Sequence, residues 1–299
     1  LVRRRGQAPG GFVAPAAKGG LIRHSFCDEC CFQSESKALP DITLLLLLFL
    51  FGAAFVAGFI DAIAGGGGMI TVPAMLIAGF SPIQTLGTNK LQSLFGSGSA
   101  TLAYARGGHV NLKSQLPMAL MSALGSAVGA ILTTFIPGDV LKALMPLLLI
   151  AIALYFGFKK KISDTDQHQR MTPFLFGLTI VPLIGCYDGV FGPGTGSFFM
   201  LAFVTLAGFG MLKATAHTKM LNFASNIGAF VVFAISGVIS WKTGLVMGAG
   251  QFLGAQLGSK LAMKSGAKII RPLLVVTCIA LAIKLLSDPS NPVRMWLGF

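Results

Sequence analysis

The chain has 299 residues, of which 54% are hydrophobic and only 11% charged, with a mean hydropathy of +0.77 and a net charge of +13. Soluble domains carry about a quarter charged residues, so this composition excludes an ordinary soluble enzyme or binding module. The basic excess points to loops facing the cytoplasm rather than to nucleic acid. From Asp41 onward there is no glutamate, and the acidic residues are Asp41, Asp61, Asp139, Asp164, Asp166, Asp188 and Asp288.

Residues 1–40 have no apolar periodicity and are read as a disordered or non-native tail, without a signal peptide despite three consecutive arginines. Within them His24, Cys27, Cys30 and Cys31 have a spacing that zinc accepts, but Gly-Gly and Pro breaks surround the cluster. No metal site and no cofactor are therefore expected. Cys186 and Cys278 sit alone in apolar segments and read as packing residues.

Ten apolar stretches follow. The first repeat, residues 41–158, holds Ile42 to Ala64, Gly67 to Phe80, Thr85 to Ala105, Ser114 to Ile136 and Lys142 to Phe158. A basic linker covers 159–172. The second repeat, residues 173–286, holds Pro173 to Phe191, Gly194 to Phe209, Thr215 to Ser236, Lys242 to Met263 and Ile270 to Leu286, before a tail at 287–299. Most are long enough for about 30 Å of hydrocarbon. The second stretch of each half is too short and is expected to be tilted or re-entrant.

An offset of 129 carries Gly79 to Gly208, Lys90 to Lys219, Gly108 to Gly237, Lys113 to Lys242, Gly125 to Gly254, Gly129 to Gly258 and Lys142 to Arg271. A two-residue slip upstream matches Asp61 and its four glycines with Asp188 and its glycine-rich run. Apolar matches arise by chance; recurring intramembrane Asp and Lys do not, because each is costly in lipid. If all ten stretches cross, one face collects Arg106, Lys113, Lys159, Lys160, Lys161, Arg170, Lys213, Lys264, Lys268 and Arg271, and the other only Lys142, Lys242 and Arg294. Five crossings per half is odd, which makes the halves inverted. The expected fold is thus an all-α polytopic membrane protein of two inverted repeats of about five transmembrane segments each. The basic N-terminal tail runs against this topology, which places it outside.

Lys90, in Thr88-Asn89-Lys90, and Lys219, in His217-Thr218-Lys219, lie at equal depths. Snorkelling explains either alone; their symmetry favours a role in holding an anion. Asp61 and Asp188 each precede a glycine-rich stretch whose backbone N–H groups and following helix start suit an oxyanion. Gly66, Gly67, Gly194 and Gly196 are the candidates there. The aspartates are read either as caps for the turns or as charge partners of the lysines. Gly125, Gly129, Gly250, Gly254 and Gly258 form small-residue packing faces.

Phe59-Ile-Asp-Ala-Ile-Ala-Gly-Gly-Gly-Gly, Pro73, Thr88-Asn-Lys-Leu-Gln, Tyr187-Asp-Gly-Val-Phe-Gly-Pro-Gly-Thr-Gly-Ser and Lys213-Ala-Thr-Ala-His-Thr-Lys together resemble the TauE/SafE sulfite-exporter-type permeases, with the nearest likeness to the YfcA-like branch of bacterial inner-membrane proteins. The resemblance covers roughly residues 41 to 299. It implies a multi-pass protein of the bacterial inner membrane that transports sulfite, sulfoacetate or a related organosulfur anion. The expected function is a secondary transporter for a small anion, not an enzyme. An anion channel and an intramembrane enzyme are the alternatives, though no Gly-x-Ser-x-Gly, His-Glu-x-x-His or Walker A motif is present. The expected partners are the anion and the lipid bilayer, with a homodimer left open. His217, where the first half has Thr88, breaks the symmetry and is a candidate proton carrier.

Overall fold

The computed structural model describes residues 43–133, 150–151, 154–155, 158 and 164–287. The tail with His24, Cys27, Cys30 and Cys31 lies outside the described residues. So do residues 288–299, the Lys159–Lys161 triplet and all of the Lys142 to Phe158 stretch except Ile150, Ala151, Leu154, Tyr155 and Phe158.

Among the described residues all regular structure is helical. The first half forms α1 (Leu44–Ala64), α2 (Gly68–Ile77), α3 (Pro82–Arg106) and α4 (Leu112–Leu132). The second forms α5 (Pro173–Leu178), α6 (Ile180–Val190), α7 (Thr195–Thr205), α8 (Met211–Ile235), α9 (Trp241–Ser265) and α10 (Ala267–Ser287). Local chemistry sets the starts. Thr43, Asn111 and Thr172 accept backbone N–H groups as N-caps, and Ser81 with Gln84 makes a capping box ahead of Pro82. The stretch from Pro173 breaks at Thr179 because Pro182 removes a donor and crowds the turn before it.

Four described segments are long and apolar enough to cross a bilayer: Leu44–Ala64, Leu112–Leu132, Pro173–Val190 and Met211–Ile235. Leucines and phenylalanines such as Leu45, Phe49, Leu116, Leu120 and Leu183 point outward from them. α3 has 25 residues, ample length to cross, but carries Thr88, Asn89, Lys90, Gln92 and Ser97 buried on its inner side. Those side chains lower its mean apolarity. α2 and α7 have 10 and 11 residues, about 15 Å each at 1.5 Å per residue. They are shorter than the sequence suggested, because Gly79 and Gly208, both at positive φ, turn the chain before the apolar stretch ends.

Glycine faces set the packing. On α9, Gly250, Gly254 and Gly258 meet the main chain of Phe51, Phe55 and Phe59 on α1, while Gly58 meets Gln251. On α4, Gly125 and Gly129 meet Pro182 and Cys186 on α6, while Gly185 meets Ser122. Both pairs of helices run parallel within the pair. A Cβ at these glycines would press into a neighbouring carbonyl, so only glycine permits the approach. The two contacts correspond residue for residue under the offsets read from the sequence. α3 and α8, themselves equivalent, cross in opposite directions, with Gly87 beside Phe233 and Gly98 beside Phe223.

Candidate functional site

The breaks between α1 and α2 and between α6 and α7 meet in the interior. Each turn needs residues at positive φ: Gly65 (78°) and Gly66 (108°) in the first, Gly192 (89°) and Gly194 (90°) in the second. The turns abut so closely that a Cβ on Gly65 would strike the main chain of Gly196, and one on Gly196 would strike Gly65. Two tyrosines seat them: Tyr104 donates to Ala62 O (2.8 Å) and Tyr187 to Pro193 O (2.6 Å). Ser197 Oγ donates across to Ala64 O (3.3 Å).

Both lysines are buried, and each pairs with the aspartate of the other half. Lys90 Nζ lies 2.9 Å from Asp188 Oδ1 and donates to the Asp188 main-chain carbonyl at 2.5 Å. Lys219 Nζ lies 3.0 Å from Asp61 Oδ2. Asp61 Oδ1 accepts the Gly66 and Gly67 amides, each at 3.0 Å. The two roles open for the aspartates are therefore combined in Asp61, which caps its turn and holds a lysine at once. Asp188 holds Lys90 and accepts the Thr195 hydroxyl (2.8 Å). Charges taken this far from water persist only when paired and hydrogen-bonded.

Between the turns lies a polar cavity of about 20 Å³, room for a single water. Of the residues singled out from the sequence, Asp61, Gly66, Gly67, Asn89, Gly194 and Gly196 line it. Asn89 Oδ1 accepts from Thr71 (2.7 Å) and Gln92 (2.8 Å). Lys90, Lys219 and Asp188 stand behind the lining. Thr88 is elsewhere, its hydroxyl accepting the Ser240 amide at 3.0 Å, and Thr218 Oγ1 is buried without a partner among the described residues. His217 lies in a different pocket of about 170 Å³, against Phe203 and Phe209, beside Gln115 and Met118. The structure thus separates it from the cavity.

The sequence reading missed Ser93, Asn222, Asn226 and Gln251 in the cavity wall. The signal was a helical stripe: Asn89, Ser93 and Ser97 repeat at four residues on α3, and Asn222 and Asn226 continue the face of Lys219 on α8. Among the described residues no group of three or more His, Cys, Asp or Glu could hold a metal ion.

A neutral cluster of two lysines and two aspartates therefore backs a cavity walled by amides and hydroxyls, with the starts of α2 and α7 at its edge. The two turns differ in their amides. The Gly66 and Gly67 amides are occupied by Asp61, whereas the Gly194 and Gly196 amides make no hydrogen bond among the described residues. Free amides at a helix start attract negative charge.

The profile of the family described as Sulfite exporter TauE/SafE matches residues 50–285. The chain is 73% identical over 260 residues to the "Probable membrane transporter protein ORF9" of Sinorhizobium sp, covering 87% of this chain and all of that protein. It is 46% identical over 258 residues to the "Probable membrane transporter protein YfcA" of Escherichia coli K12, covering 86% of this chain and 96% of the relative. The "Probable membrane transporter protein YunE" of Bacillus subtilis is 27% identical over 258 residues, covering 78% and 94%. No solved structure matches. With its apolar helices and these relatives, the chain is a multi-pass membrane protein that belongs to the TauE/SafE family of membrane transporters.

Proposed function

We propose that the chain is a secondary transporter carrying a small oxyanion, of the sulfite or organosulfur class, across the bacterial inner membrane. The observation that carries this reading is the pair of crosswise Lys–Asp bridges behind a small polar cavity at two helix starts. Unfilled amides at Gly194 and Gly196, with Asn89, Asn222 and Asn226 opposite, offer the anion neutral donors. The bridges keep Lys90 and Lys219 one layer back. Paired, they lock the halves together when the anion is absent, and a lysine released from its aspartate can balance the anion at short range.

The membrane part is read as two inverted repeats of five segments each. Opposite running directions of α3 and α8, and the matched glycine contacts of α1 with α9 and α4 with α6, support this. The loop charges then put Lys113 and Lys264 inside and Lys242 outside. Single cysteines at these positions, probed with an impermeant reagent on intact cells, should label only at 242. Labelling at 113 but not 242 overturns the topology.

Flux of radiolabelled sulfite into proteoliposomes tests the function. Saturable flux is expected in the wild type and loss of it in Asn226→Asp, which places a carboxylate beside the anion. Flux no faster than in protein-free vesicles rejects the reading for this anion, and full flux in a well-folded Asn226→Asp rejects the site.

A further inference from the structure

The transport reading leaves one oxygen of Asp188 unaccounted for, and the following rests on that reading. Asp188 is 2% exposed, and its Oδ2 has no hydrogen-bond partner among the described residues. Its Oδ1 meets Lys90 and the hydroxyl of Thr195, but that hydroxyl has one hydrogen and also faces Gly192 O at 2.6 Å. Lys90 in turn divides its donors between Oδ1 and the main-chain carbonyl. Asp61 has no such deficit, since Lys219 takes one oxygen and two amides take the other.

A second buried oxygen without a partner among the described residues sits on α4, the helix packed against α6. Ser126 on α4 is fully buried, its Oγ has no partner, and its main chain packs against Gly189, the residue after Asp188. In the other half the residue equivalent to Ser126 is Ala255, so no oxygen is offered there. α9, packed against the helix of the fully partnered Asp61, lacks the hydroxyl, and α4, packed against the helix of Asp188, has it. Lys90 is the charged group that reaches Asp188. Tyr187 beside it donates to Pro193 O, and Lys219 on α8 is held by Asp61.

A buried carboxylate oxygen facing no donor is unfavourable until something positive meets it. We propose that Asp188 Oδ2, with the Ser126 hydroxyl on the helix packed against α6, is the site of the co-transported cation, a proton or a sodium ion. Occupancy cancels the charge that clamps Lys90. The lysine is then balanced by the anion instead, so that cation and anion load together. Without the cation Lys90 stays on Asp188 and the halves stay locked.

The test uses wild-type protein in proteoliposomes, with radiolabelled sulfite and two arms: a pH difference without sodium, and a sodium gradient at equal pH. One coupled cation makes the anion accumulate about tenfold for each tenfold cation gradient. A response to pH alone identifies the proton, and a response to sodium alone the metal ion. Sulfite flux that responds to neither overturns this inference while leaving the transport reading standing; absence of any flux rejects that reading instead. Lys90→Met combined with Asp188→Asn removes both charges without stranding either, and Ser126→Ala removes the second oxygen. Thermal stabilisation of the detergent-purified wild type by the effective cation should vanish in the double variant and weaken in Ser126→Ala. Stabilisation equal to wild type in the folded double variant would place the cation elsewhere and overturn the proposal.

Discussion

The glycine turn of the first half and that of the second begin from related sequence and end in different electrostatic states. At the first, Asp61 bends back onto the Gly66 and Gly67 amides and fills its own anion nest. At the second, Pro193 takes a position held by glycine in the first half, and Asp188 points to Lys90 and Thr195, leaving the Gly194 and Gly196 amides without a partner. Two similar helix breaks thus differ by a few side chains: one has its turn amides filled by its own aspartate, and the other leaves the Gly194 and Gly196 amides free among the described residues. Ser126 against Ala255, and His217 against Thr88, extend the same divergence to the helices around them.

The sharpest way to break this comparison is to strand one charge. Lys219→Met leaves Asp61 buried without its cation and should cost about 3–5 kcal/mol, whereas Lys219→Met with Asp61→Asn should recover most of the loss. Thermal unfolding in detergent reads both. Equal stability of the single and double variants would mean that the bridge does not hold the halves. Asp61→Asn alone should also weaken the Gly66–Gly67 turn, a loss that Asp188→Asn does not share because its turn amides are unclaimed.

The glycine contacts offer a symmetric control. Gly129→Ala and Gly258→Ala occupy equivalent places against Cys186 and Phe59 and should each lose about 1–3 kcal/mol through overpacking. Gly52, with nothing within 4 Å of a built Cβ, should gain about 0.5–1 kcal/mol as alanine. A large difference between the Gly129 and Gly258 variants would show that the two interfaces are not equivalent.

The smallest effect belongs to the strap before the second half. Asp166 Oδ2 meets Lys213 Nζ at 2.5 Å, and its Oδ1 accepts the Gly210 amide at 2.9 Å. The Lys213 hydrogen bond, with the Gly210 amide adding to it, outweighs partial burial and holds the Asp166 carboxyl below the usual carboxylate range. A depressed carboxyl stabilises the fold above its unfolded pKa and loses that contribution as pH falls through the folded value. Both side chains are about half exposed, 43% and 51%, so Asp166→Asn should cost only about 0.2–1 kcal/mol at neutral pH. The two proteins should converge in melting temperature once pH has fallen below the usual carboxylate range and through the depressed folded value, and also in high salt. A gap that persists under both conditions would trace to the Gly210 hydrogen bond rather than to charge.

What the sequence determined by itself follows from local costs. Lysine and aspartate are so unfavourable in hydrocarbon that their recurrence at nearly one offset singled out Lys90, Lys219, Asp61 and Asp188, which the structure buries as two crosswise pairs. Glycines spaced for close approach announced helix contacts at Gly125, Gly129, Gly254 and Gly258, and the glycine runs announced the breaks. The tertiary structure decided who meets whom. That each lysine crosses to the aspartate of the opposite half depends on how α3 and α8 pass each other, and no local pattern encodes such a crossing. Asn222, Asn226, Ser93 and Gln251 read as ordinary polar residues until three helices bring them to one wall. His217 carries a promising side chain beside Lys219, yet successive residues on a helix face different directions, and its ring turns to Phe203 and Phe209 instead.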